Sequence, residues 1–255
     1  MRPSLAPAAT MTDAVIAYQG YVNSTLAALE SEVLTLKASV GNNDLDAGRR
    51  LWLSAQLLWQ QVGAAYGSFG DLGGSINGLP AGLPQGPADP GFTGLHRVEY
   101  GLFHGQSPAE LIPAVQGLYS DIGTLRSTLQ TVTVDPADMP LRCHEILEDS
   151  LRDNLTGNND QGSGMALALT AADVVATRVV LTLLSSLIDQ FKAGYSGSIA
   201  AELDVVDAAL TATKHNGQWP NYGDVTLAQR QPVNGALGRA LESLALIPPI
   251  FSTDD

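Results

Sequence analysis

His96 and Glu99, three residues apart in the string GLHRVEYGLF, are the side chains whose types and spacing most directly allow chemistry. On a helix, residues three apart share one face, so this imidazole and carboxylate can converge on a single cation. One nitrogen with one or two carboxylate oxygens is a mixed donor set. It suits iron, zinc, manganese or copper and does not choose among them. Glu-x-x-His pairs in carboxylate-bridged bundles use the same geometry in reverse order. The pair also fits a buried, hydrogen-bonded contact with no ligand, and spacing alone leaves both readings open.

A second cluster lies in LRCHEILEDSL. His144 and Glu148 stand four apart on one helical face, with Glu145 beside the histidine. HEILE differs from the zinc-protease pattern H-E-x-x-H at its last position, where Glu148 replaces the second histidine. A hydrolytic zinc site takes three protein ligands, so a protease reading is left short. We expect an acidic helix face with a partly buried histidine, one acid of which points into the fold and supports the first site. Other chemical motifs fail. Gly162-Ser163-Gly164 lacks the strand-to-helix context of a nucleophile elbow, and there is no phosphate loop or dinucleotide fingerprint. The single cysteine, Cys143, excludes an internal disulfide and a cysteine-based zinc or iron–sulfur site within one chain.

The elements that must position these residues are helices. Val15, Tyr18, Val22, Leu26, Leu29, Val33, Leu36 and Val40 step by three and four, and the stripe ends at Gly41-Asn42-Asn43. Asp44 then reads as the N-cap of a second helix carrying Trp52, Ala55, Trp59, Val62, Tyr66 and Phe69. Its tryptophans are expected in the core. Between Gly70 and Gly94, eight glycines and four prolines in 25 residues predict a structureless loop. A loop of that length is often functional. A short helix from about Thr93 to His104 follows and carries the His96–Glu99 pair. Ser107-Pro108-Ala109-Glu110 is a capping-box start for a fourth helix. Asp135-Pro136 opens a fifth, to about Leu155. GNNDQGSG, 157–164, is a turn-rich break. The sixth helix, Met165 to Phe191, is the most apolar, and two more end at Pro248-Pro249.

Eight helices without a convincing strand give an all-α fold. Without a fixed repeat of 30–45 residues, bundles are favoured over a solenoid. The natural division is into two four-helix halves, 11–133 and 135–250. The opening MRPSLAPAAT has no apolar run of signal-peptide length and reads as a leader remnant, residues 1–10. The longest apolar stretch, Val174 to Ile188, falls short of the roughly 20 residues of a membrane span. The 255 residues include 13 basic and 26 acidic side chains, a net charge of −13. So acidic a chain disfavours nucleic acid and suits metal cations. The same charge counts against acidic polysaccharide unless a metal bridges it.

The strings SFGDLGGSINGLP, FTGLHRVEYGLF, LRCHEILEDSL, DQGSGMALALTAADVVATRVVL and QRQPVNGALGRALESLALIP together resemble the imelysin-like family, more narrowly its actinobacterial EfeO/EfeM-type iron-uptake components. The similarity runs over about residues 12–250. Its most specific element is G-x-H-x-x-E, met by Gly94, His96 and Glu99. It implies two pseudo-symmetric helical bundles and an extracytoplasmic protein, often lipid-anchored. It also implies service in an iron-uptake system with a membrane iron permease and a haem-type peroxidase as partners. His96 and Glu99 carry over as the metal pair. Asp71 of FGDL and Glu145 or Glu148 carry over as neighbours of the cleft. Two protein ligands hold a metal weakly, so a third must come from Asp71, His144, Glu145, Glu148 or solvent. The family also implies two other activities, a metal-dependent peptidase and a polysaccharide-binding module. The chain departs from the family where many relatives have glutamates one turn before FGDL, because Gln60, Gln61 and Gly63 stand there. The sixth helix opens MALALTAADVV, with Asp173 its only charge.

Overall fold

The structure, a computed structural model, describes residues 5–252, so the first four residues of the expected leader remnant lie outside it. The fold is all-helical, and no strand occurs among the described residues beyond an isolated bridge between His215 and Gln218. Helix α1 (Met11–Gly41) starts where Thr10 accepts a hydrogen bond from the Asp13 amide. Its stripe from Val15 to Val40 is buried. Helix α2 (Leu45–Gln60) is capped by Asp44, whose carboxylate accepts from the Ala47 amide at 2.9 Å. Both caps satisfy amides that the first helical turn leaves unpaired.

The expected second helix is shorter than its stripe predicts. It stops at Gln60, and the chain continues as a 3-10 turn, Gly63–Ser68. At Gly63 a Cβ would lie 3.1 Å from the Ile146 side chain, so the tighter turn brings backbone close to a later helix. The glycine-rich stretch is also not structureless. It holds a short helix, α3 (Asp71–Asn77), and a 3-10 turn at Gly86–Ala88. Tertiary packing overrides the poor intrinsic propensity of DLGGSIN. Ile76 is fully buried, and α3 packs on α4 (Gly94–Phe103) and α5 (Pro108–Thr128).

Helix α5 begins with the expected capping box between Ser107 and Glu110. Helix α6 (Asp138–Asp149) runs into one π-helical turn, Ser150–Asn154. Helix α7 (Ala166–Phe191) is followed by α8 (Tyr195–Thr211), α9 (Leu227–Leu244) and α10 (Ile247–Phe251). Pro248-Pro249 thus lies inside the first turn of a short extra helix and does not end the preceding one. Proline is tolerated there because first-turn amides need no intrahelical acceptor.

Helix α1 packs on α2 and α5; α7 packs on α6 and α8 while also touching α1 and α2. The buried apolar residues accordingly form one continuous cluster. By length and composition α7 could cross a membrane, contrary to the shorter apolar run seen in the sequence, but 78% of its most apolar window is buried inside the fold. Its hydrophobicity all round is what a central helix requires. Trp52 and Trp59 are buried as expected, and the Trp52 indole donates to the Leu95 carbonyl at 2.9 Å.

Candidate functional site

Helix α4 begins at Gly94, whose φ of +79° favours glycine, and a Cβ there would stand 2.2 Å from the Ile76 carbonyl oxygen. Only a glycine lets the end of α3 come this close to the start of α4. Two residues on, His96 points inward and is only 2% exposed; Glu99, one turn later, is 1% exposed. Their side chains meet, with His96 Nδ1 2.9 Å from Glu99 Oε2.

The other oxygen of Glu99 is also engaged. Oε1 accepts the backbone amides of Gln161 at 3.0 Å and of Ser163 at 3.3 Å, both in the turn between α6 and α7. Two amide donors favour a carboxylate that only accepts, so the proton shared with His96 belongs on Nδ1. In the neutral ring Nε2 then keeps its lone pair, and it has no hydrogen-bond partner among the described residues.

Of the pair, His96 alone lines a cavity of about 210 Å³. Gln60 closes it from α2, Tyr66 from the following 3-10 turn, and Asn77 from α3. The rest of its lining includes Arg142 and Asp149 of α6, Asp153 and Asn154 of the π turn, and Asp173 of α7. The π turn offsets the helix register, a device common at functional sites. It lets Ser150 and Asn154 reach Asp173. Both donate to Asp173 Oδ2, Ser150 through its hydroxyl and Asn154 through its amide at 2.8 Å.

Burial holds the Asp173 carboxyl well above the usual carboxylate range, although the Ser150 and Asn154 hydrogen bonds pull the other way. Asp149 is also raised by burial, against the pull of Arg152 and Arg142. The Tyr66 phenol is raised by burial and by Asp173. The cavity is therefore lined mostly by polar groups: the His96 imidazole, the Arg142 guanidinium and three aspartates, two of whose carboxyls burial pushes up.

The other sequence candidates are not in it. Asp71 is exposed at the start of α3. Glu145 pairs with Arg142 at 3.1 Å and His144 with Glu148 at 3.5 Å, and none of the three lines the cavity. The one-turn spacing was sound, but the inward face of α6 is the one carrying Met139, Cys143, Ile146 and Leu147, all buried. Those four residues aim His144 and Glu148 sideways. Asp149, in the same LRCHEILEDSL string, takes the place expected of Glu145 or Glu148. Gln60 and Asp173, noted in the sequence only as departures, are cavity residues. No sequence signal marks Asp153 or Asn154, because the π turn that presents them has no recognisable pattern. Among the described residues no three His, Cys, Asp or Glu side chains are grouped closely enough to hold a metal ion. A cation entering here would meet His96 Nε2 and keep much of its water, with side-chain oxygens at a distance.

The Imelysin family model matches residues 14–243. The iron uptake system component EfeO of Escherichia coli (strain K12) and that of Shigella flexneri are each 22% identical to this chain over 241 residues. Each match takes in 94% of this chain and 64% of the relative, so the chain spans just under two thirds of the length of these curated relatives.

Proposed function

The chain belongs to the imelysin family, and from this we propose that it is an extracytoplasmic cation-binding component of an iron-uptake system. The cation is the cargo, captured in the cavity at His96 and released to a partner. The similarity to the iron uptake system component EfeO supports iron as that cargo, with zinc, copper or manganese as cations the same donors accept. In that system a membrane iron permease would receive the ion and a haem-type peroxidase would act alongside.

One observation carries the reading: His96 lines a polar cavity with Nδ1 already bound to a buried carboxylate. Ligating histidines commonly have their second nitrogen held by a carboxylate in this way. Glu99 thus supports the pair from behind. Asp149, Asp153 and Asp173 supply oxygen elsewhere in the lining, and Gln60 adds a neutral amide oxygen. Few direct ligands favour exchange over permanent retention, which suits a carrier.

Anaerobic titration of metal-free protein with Fe2+, read by calorimetry, tests this. We expect saturable one-site binding that His96→Ala weakens at least 10-fold. Binding that His96→Ala leaves unchanged would move the site elsewhere. No binding at millimolar metal would remove the cation reading.

A further inference from the structure

The turn between α6 and α7, GNNDQGSG, bonds to Glu99 of α4 on one side and to Asn154 of the π turn on the other. Asp160 builds it. Its Oδ1 accepts from the Gly164 amide at 2.9 Å, the Ser163 hydroxyl at 3.0 Å and the Gly162 amide at 3.3 Å. This closed Asx-type turn aims the Gln161 and Ser163 amides at Glu99 Oε1. Gly162 and Gly164 take φ of +117° and +68°. A Cβ on Gly164 would lie 2.1 Å from the Asn221 side chain, so the turn is also wedged from behind. On its other side, Asn159 donates to Asn154, which donates to Asp173.

We propose that Asp160 is a positioning residue for the cavity: by shaping the turn that grips Glu99, it fixes the His96 ring with the proton on Nδ1 and the Nε2 lone pair toward the cavity. The chain of contacts is Asp160, the Gln161 and Ser163 amides, Glu99, then His96. Remove Asp160 and three donors lose their acceptor. The two amides drift from Glu99, and the imidazole is free to rotate or to move its proton to Nε2. A ring protonated on Nε2 offers the cavity a donor and no lone pair. The consequence for cation binding rests on the proposed function; the ring geometry does not.

The test is nitrogen-15 NMR of the histidine rings in metal-free protein at pH 8, followed by Zn2+ titration. Wild type should show a protonated Nδ1 and an unprotonated Nε2 for His96. Asp160→Ala should mix the two tautomers and weaken Zn2+ binding about 10–100-fold, the usual cost of losing an outer-shell partner. Asp160→Asn, which keeps the Oδ1 acceptor, should restore both readouts. Ser163→Ala removes one of those donors, and a long acceptor for the Met165 amide with it, while keeping the backbone amide that reaches Glu99. It should shift the tautomers in the same direction by less, and it serves as the test if Asp160→Ala does not fold. A wild-type His96 protonated on Nε2, or variants with wild-type ring shifts, would overturn the proposal. The expected ring state in a protein that takes up neither Zn2+ nor Fe2+ would leave the positioning intact and sink only the cation reading.

Discussion

At the scale of single residues, Glu99 is the carboxylate most directly committed to His96. It is buried, it faces His96, and it takes two backbone amides. Truncating it leaves an imidazole N–H and two amides without their acceptor. Each orphaned buried donor costs about 1–3 kcal/mol, so Glu99→Ala, which orphans three, should lose at least about 3 kcal/mol in urea unfolding. A loss below about 1 kcal/mol would mean that water replaces the carboxylate freely.

Asp173 behaves oppositely. Its folded-state pKa lies above the unfolded value because of burial. Between those two values the folded chain keeps a proton that the unfolded chain has released, so stability falls as pH rises above the ordinary aspartate range near ~4. Asp173→Asn keeps an acceptor for Ser150 and Asn154 without the ionisation. It should therefore raise Tm at pH 7, with the gain shrinking toward pH 4. A Tm gain independent of pH would show that charge is not the cause.

At the scale of elements, the junction of α3 and α4 is the most constrained. Gly94 combines a left-handed backbone with a Cβ position 2.2 Å from the Ile76 carbonyl oxygen. Alanine there adds a strained φ, worth about 1–3 kcal/mol, and forces backbone apart. Gly94→Ala should cost roughly 2 kcal/mol or more by chemical denaturation and displace Asn77 and His96 together, weakening cation binding as well. Gly70 offers the control. Its φ is also positive, at +55°, but a Cβ there meets nothing within 4 Å. Gly70→Ala should therefore carry the strain alone and spare binding.

At the scale of the whole molecule, the cavity is built from α2, α3, α4, α6 and α7 at once. No subset of these helices presents it, so cation binding and folding are linked. A cation held only by the folded chain at 100 times its Kd adds about 2.7 kcal/mol, which for a domain of this size is about 5–10 °C in Tm. Differential scanning calorimetry with Fe2+ under anaerobic conditions should show that rise in wild type and little in His96→Ala. An equal rise in both would assign it to the net charge of −13 attracting cations without a site.

The sequence by itself determined the helices and the chemical pair. The Val15–Val40 stripe, the Asp44 cap and the Ser107–Glu110 capping box are local signals, and local signals survive folding because they depend on neighbours three or four residues away. His96 and Glu99 are legible for the same reason. What lies far apart in the chain was not. That Glu99 would be met by amides 62 and 64 residues later, that Asp149 would face the cavity instead of Glu145 or Glu148, and that DLGGSIN would be helical are decided by packing. In each case the outcome hangs on which face of one helix a distant helix covers. A π turn or a buried Ile76 changes that face without leaving any mark in the local spacing.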